Sequence, residues 1–529
     1  MHEKIKLIGQ AQDEYVMAKA ALGVSKLTHV MRCVGLDVYR CEQDLAAFDA
    51  FMKSHLARWC PGLDEAGLTQ SKLCVSSGGL GIRSLADIAL PAAIAGGVSS
   101  LPKVKEFDEA MIKAGLSDTP LLSHGLCEDL ATAVAHFKST LHEKEAAQVQ
   151  QLADEVGKRA AAEWGSTIHG GLNTCRGVPL PVIQWPDLFG HLDDAQQESA
   201  GLNGEDPTES GSSDSTSGCA RHLQRQLSLL RDASTFREHK ADLEAIGRWV
   251  QVRRIKNCTR KEVSHSWVYH VNPREGSVLA DEDWKIAIAK RLGANLEESE
   301  FACQLCGCIV DCRNDHSEVC ALAAATKGHY AVVDSIVEVA RLGDSGLQTE
   351  ARDLIENNPR RPADIYTKIA CPGVDAALDI TVTAVEAYGA AGEPCARAHK
   401  QKLHSYRNEI PNLTAQGIRY QPMVWSCEGS CHPETIRSLN NITDGVARKT
   451  GCNSKRLLRR LVHNIIVALM RRRAAMVRQV HPSITEENWQ LLGGSRGVMA
   501  EVCPKLDEPT ECFDCTVSSA GPPGLTSSN

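Results

Sequence analysis

A chain of 529 residues with 43% apolar composition is long enough for roughly two to four domains with real cores, which excludes an intrinsically disordered protein. Lys and Arg total 58 against 66 Asp and Glu, a net charge of −8, so any nucleic-acid surface must be local. The 21 cysteines follow no signal-peptide pattern at the start, so a reducing compartment is expected, with some thiols on zinc and most buried or unpaired.

Residues 1–140 read as helices joined by short turns, with apolar residues at three-and-four spacing through Tyr15 to Leu22 and Leu45 to Leu56. Gly78-Gly79-Leu80-Gly81 is not a dinucleotide loop, because Ser84 stands where the third glycine should be; a tight turn before a helix is expected. Residues 141–192 form a connector, its run Glu143 to Ala162 rich in helix formers and charge. Residues 193–218 are acidic, Ser/Gly-rich and almost without large apolar side chains, and are expected to be a disordered linker. Residues 219–300 resume helical periodicity around a short apolar-aromatic strand at SHSWVYH.

Residues 301–325 hold Cys303, Cys306, His316 and Cys320 at zinc-ligand spacing, and a closed set of four such ligands suits a structural ion. Cys308 and Cys312 lie in the same loop, and Cys312 could replace either neighbour. Cys427 with Cys431, and Cys512 with Cys515, lack a nearby partner pair and are read as non-ligands.

Residues 326–425 place Asp364 and Asp379 in β-type sequence on either side of a Cys371-Pro372-Gly373 turn, so a hairpin would bring both carboxylates to one end of a sheet. Two carboxylates with a lysine close by can hold Mg²⁺ or Mn²⁺ and orient an attacking water, which is nuclease chemistry. Lys400 and Lys402 both precede Tyr406 on a helical stretch, and Lys402 shares its side with Tyr406. Glu350, on an expected helix, is an additional acidic or water-orienting candidate.

In residues 426–505, the run Lys455 to Arg478 is an amphipathic helix with eight basic residues and no acid. Lys455, Arg456, Arg459, Arg460, Arg471, Arg472, Arg473 and Arg478 are the candidate phosphate contacts, against the alternative of a solvated or membrane-surface face. Its core, Leu461 to Met470, is broken by His463 and Asn464 and is too short to span a bilayer, so no membrane partner is expected. Residues 506–529 are Pro/Ser/Gly-rich and expected to be a disordered tail.

The order of these pieces resembles the C-terminal part of non-LTR (LINE-like) retrotransposon reverse transcriptase polyproteins carrying a restriction-like PD-(D/E)xK endonuclease. GGLGIRS resembles the segment that follows the polymerase palm in that family. A Trp-containing strand then leads through Arg291-Leu292-Gly293 into a Cys-Cys-His-Cys motif, followed by an aspartate after proline, a second aspartate, and a lysine four residues before a tyrosine. Pro362-Ala363-Asp364 stands here where the family has Pro-Asp.

The resemblance implies a multidomain protein: a mainly α N-terminal region like a polymerase thumb, and an α/β restriction-endonuclease-like domain with a small zinc loop. It implies Asp364, Asp379, Lys402 (or Lys400) and Tyr406 as catalytic, structural Zn²⁺, catalytic Mg²⁺ or Mn²⁺, DNA and element RNA as partners, and a nuclear location, otherwise cytoplasmic. The paired aspartates of a polymerase are missing before Lys72, and Asp193-Asp194 lies in loop-like sequence, so polymerase activity from this chain is not expected. The competing readings are a catalytically inactive nucleic-acid-binding remnant and a fragment with no selected function.

Overall fold

In a computed structural model, the described residues are 8–149 and 215–480, apart from short stretches at 25–26, 34, 36–37, 39–40, 261, 272–277, 352–353, 356–361 and 385–392. The chain is mainly helical with a small mixed sheet. The first helices are α1 (Ala11–Leu22), α2 (Glu42–Trp59), α3 (Leu85–Lys113) and α4 (Leu121–Ser139). The short helix Glu65–Lys72 starts where Asp64 accepts a hydrogen bond from Gly67 N. A 3₁₀ turn at Val75–Ser77 then ends on Gly78 at φ +87°, and Gly81 at φ +64° completes the reversal into α3. The Gly-rich stretch is therefore the tight turn its sequence indicates.

Of the expected connector helix, residues 143–149 are helical and the rest lies outside the described residues. Most of the expected linker also lies outside them. Its last residues, Ser215 to Gly218, instead open the long helix α5 (Ser215–Ala245). Next come α6 (Trp249–Cys258) and α7 (Asp281–Leu292). The strand expected around Trp267 is a 3₁₀ turn, Ser266–Val268. Both Trp267 and Val268 are buried among helices, where Trp284 Nε1 donates to Val268 O at 3.2 Å, so burial accounts for the apolar pattern.

A two-stranded hairpin, β1 (Phe301–Ala302) and β2 (Ile309–Val310), leads through a turn of helix at Ser317–Cys320 into α8 (Leu322–Gly343). The main sheet follows with β3 (Gln348–Thr349), β4 (Ile365–Cys371), β5 (Val374–Thr383) and β6 (Ile418–Ser426), in that spatial order. β3, β4 and β5 are antiparallel, and β6 runs parallel to β5 after a crossover through α9 (Pro394–Ser405) and the short helix Ile410–Ala415. The chain ends its described part in α10 (Pro433–Thr450) and α11 (Ser454–Val480).

Alternation along β5 divides its side chains between the two faces of the sheet. Leu378 and Ile380 share a core with Ile336 of α8, Leu439 of α10 and Ile465 of α11. Ala377, on the other face, packs with Tyr420 and Leu413 beneath the crossover, and Asp379 has the same parity.

The first core extends well beyond the sheet. Tyr15, Trp59 and Trp284 meet edge to face or tilted, at ring separations of 5.7 to 6.5 Å, within the same apolar cluster as Ile336 and Leu461. Helices at the start of the chain and the sheet thus share one core, inside one unit reaching Val480. Among the described residues no single helix is long and apolar enough to cross a membrane.

Candidate functional site

The β1–β2 hairpin turns through Gly307 at φ +76°, which brings Cys303 and Cys306 to one side, and the helical turn beginning after His316 brings Cys320 beside them. Cys303 Sγ is 3.8 Å from Cys320 Sγ, Cys306 Sγ is 3.1 Å from His316 Nε2, and all four ligand atoms lie within 4.8 Å of one another. Tetrahedral zinc with Zn–S near 2.3 Å holds two sulfurs about 3.8 Å apart, so this Cys₃His set fits a closed zinc site. The four ligand atoms that gather within 4.8 Å are those of Cys303, Cys306, His316 and Cys320, while the Cys308 thiol also hydrogen-bonds Cys306.

Burial holds the His316 imidazole below its ordinary pKa, with Asp311 opposing, which favours the neutral form that a metal ligand needs. Burial works to raise the Cys306 thiol, but hydrogen bonds from the Cys308 backbone and the neighbouring thiols bring it below its usual value. Cys427 and Cys431 are indeed elsewhere: Cys427 Sγ accepts from Arg472 Nη1 at 3.2 Å, and Cys431 Sγ donates to Glu262 O at 3.6 Å. Cys512 and Cys515 lie outside the described residues.

Beneath this loop lies a buried ionic cluster. Asp315 meets Lys290 Nζ at 2.6 Å and Arg254 Nη1 at 2.8 Å. Glu318 meets Arg473 at 2.6 Å and Arg254 Nη2 at 3.2 Å, and Glu428 adds a contact to Arg473 at 3.5 Å and accepts from Asn257 Nδ2 at 3.0 Å. Desolvation works to raise the Asp315 and Glu318 carboxyls, but the surrounding cations outweigh it and hold both well below the carboxylate range. Two residues that flank His316 in sequence therefore tie the loop to α6, α7 and α11.

The second site lies on the sheet. Turning at Gly373, φ +76°, the β4–β5 hairpin pairs Ile365 with Leu378, and the same register sets Asp364 opposite Asp379. Asp364 N donates to Leu378 O at 2.9 Å, and Asp364 Oδ2 accepts from Ile380 N at 2.6 Å. Lys402, on the inward side of α9, donates to Asp379 Oδ1 at 3.0 Å, and Tyr420 OH donates to Asp379 Oδ2 at 2.5 Å. Asp379 is 6% exposed. Burial raises its pKa, Lys402 and Tyr420 pull it down, and Asp364 adds to the rise, leaving it above the ordinary aspartate value. Burial and Asp379 together push the Tyr420 phenol well up, so it remains a hydrogen-bond donor.

Of the other residues singled out, Lys400 is exposed on α9, and Tyr406 tilts against Tyr420 with ring centroids 4.9 Å apart. Glu350 follows β3 at φ +48° and is not on a helix; its backbone N–H reaches Asp364 O at 2.8 Å, while its carboxylate accepts from Tyr330 OH at 3.0 Å. Sequence reasoning missed His329, whose Nε2 is 3.4 Å from Asp364 Oδ1, and Tyr420. Neither carried a spacing signal.

Among the described residues the Cys₃His cluster alone gathers three or more potential ligands. The two aspartates suit a hard cation only in the manner of Mg²⁺ or Mn²⁺ sites that draw their remaining ligands from water and substrate phosphate.

The basic helix divides in two. Lys455, Arg456, Arg459 and Arg460 are exposed, and Arg471 is exposed with Nη2 on Val278 O at 2.8 Å. Arg472 and Arg473 are 8% and 2% exposed, held by Ala325 O and Cys427 and by Glu318 respectively. They are internal struts, not phosphate contacts, and Arg478 is paired with Asp283 at 2.6 Å. No protein-family model and no curated protein sequence matches the chain.

Proposed function

We propose that this chain is a metal-dependent DNA endonuclease of retrotransposon descent, which nicks target DNA. The observation that carries the reading is the meeting of Asp364, Asp379 and Lys402 on one face of the sheet, with Lys402 Nζ 3.0 Å from Asp379 Oδ1. Its support is the agreement between that geometry and a resemblance carried by the same residues in the same order. A helix, an antiparallel β3–β4–β5 set and a parallel β6 beyond a crossover also suit an α/β restriction-like core.

Asp364 and Asp379 would hold a Mg²⁺ or Mn²⁺ ion, which supplies Lewis-acid stabilisation of the phosphate and of an attacking water. Lys402 places a positive charge where the pentavalent phosphate gathers negative charge. Tyr420 fixes one oxygen of Asp379 and thereby the direction the other faces. The Cys₃His loop holds structural zinc. DNA is the substrate, element RNA a further partner, and a chromosomal target implies a nuclear location.

One observation favours the second reading, an inactive nucleic-acid-binding remnant: both oxygens of Asp379 are already engaged, by Lys402 and Tyr420. Plasmid nicking by the full chain with Mg²⁺ or Mn²⁺ separates the two. Activity that Asp379→Asn and Lys402→Ala each reduce by about 10²-fold or more supports the nuclease. Folded, zinc-loaded protein that binds DNA and leaves it intact supports the remnant.

A further inference from the structure

Helix α9 has two unlike sides. Cys395 and Ala398 are buried against β6, and Lys402 turns inward to Asp379 on the same side. Arg397, Lys400, His404 and Arg407 recur at three-and-four spacing on the outer side, with Lys400, His404 and Arg407 exposed and Arg397 partly so. Between Glu393 and Glu409 the sequence contains no acid. Both flanking acids are occupied, Glu393 in capping the helix and pairing with Arg260, Glu409 in the interior.

From the stripe we infer that the outer face of α9 and its following turn form the surface that grips the phosphate backbone of duplex DNA beside the carboxylate site. The inference rests on the nuclease reading and deepens it. Ten residues of helical rise span about 15 Å, and one strand of B-form DNA presents a phosphate every 3.4 Å or so along the axis, so the stripe faces about four phosphates. The stripe and the inward Lys402 belong to one rigid helix, so a strand gripped on the outside is held at a fixed offset from Asp379. The half-buried carboxyl-terminal part of α11 offers no comparable continuous stripe, because Arg472 and Arg473 point into the protein.

The test is duplex-DNA binding by the full chain as a function of salt, without divalent ions, for the wild type and Lys400→Ala/Arg407→Ala. Lys113→Ala/Lys144→Ala removes the same charge from the N-terminal helices. Loss of two phosphate contacts lowers the log–log salt slope by about 1.8, equivalent to about 30-fold in affinity near 0.15 M salt. That result in the α9 variant alone supports the surface.

Equal slopes for wild type and the α9 variant, an equal drop in the control variant, binding to RNA only, or no duplex binding by the wild type would each overturn it. Nicking, measured on the same preparations, reports separately on the nuclease reading. A wild type that binds through α9 without cutting keeps the surface and removes the nuclease. One that cuts with an unchanged α9 variant does the reverse. Zinc content and circular dichroism confirm that these exposed substitutions leave the fold intact.

Discussion

Replacing Arg473 by Met leaves Glu318 and Glu428 facing each other in the interior without their nearest shared cation. Arg473 is 2% exposed and touches Glu318 at 2.6 Å, and the Glu318 side chain has no exposure at all, so water cannot take over. Removing one partner of such a buried pair costs about 3–5 kcal/mol, as does Glu318→Leu, which leaves Arg473 only its longer contact with Glu428. The double variant removes the pair together and leaves Arg254 and Lys290 to share Asp315 and Glu428, so its cost should fall well short of the sum.

Urea unfolding followed by tryptophan fluorescence reads this directly, since Trp59 and Trp284 are buried in the main core. With a slope of about 3 kcal/mol per molar, each single variant shifts the midpoint by about 1–1.7 M. Additive losses in the double variant would refute the argument, since they would mean that the two side chains act independently.

Three further outcomes are expected. Purified chain should carry one zinc per molecule, and Cys306→Ser should lose it and melt at lower temperature; full zinc retention would point to Cys308 or Cys312 as a substitute ligand. Because the folded pKa of Asp379 lies above its unfolded value, its contribution to stability is fully present below about pH 3.9 and lost as pH rises through the folded value. Without added divalent ion, Asp379→Asn should therefore melt higher than wild type at pH 7, with the margin closing towards pH 3.5; a less stable variant at pH 7 contradicts the assignment. A methyl group on Gly328 of α8 would stand 2.2–2.5 Å from the Arg472 side chain, itself buried, so Gly328→Ala should destabilise by about 1–3 kcal/mol in the same urea assay.

What the sequence discloses here depends on how local each interaction is. The β4–β5 hairpin is legible because β-branched residues flank a Pro372-Gly373 turn, but its register is not: Cys371 pairs with Val374 at the turn, and an irregularity between Thr367 and Cys371 shifts the pairing before it reaches the two aspartates. The Cys₃His cluster is legible because metal-ligand geometry imposes spacing on a short loop. The strand assigned to Trp267 fails for the opposite reason: three apolar residues in a row describe burial, and only the surrounding helices decide the backbone. The basic helix misleads in the same way. Arg472 and Arg473 are indistinguishable by composition from Arg459 and Arg460, and the partner that fixes Arg473, Glu318, lies 155 residues earlier. Similarly, nothing local marks Tyr420, whose role exists only because β6 lies parallel to β5.

The apolar cluster that holds Val149 also holds Leu223, Leu227 and Leu230 of α5, so the described residues before 150 and after 214 meet in one patch of core. Residues 8–149 and residues 215–480, taken as two pieces, each carry part of the same clusters. Neither piece has a closed interior of its own, and co-expressed halves should find each other as a split protein does. Truncating the protein ahead of α5 to isolate its sheet would strip away part of what the sheet is folded against.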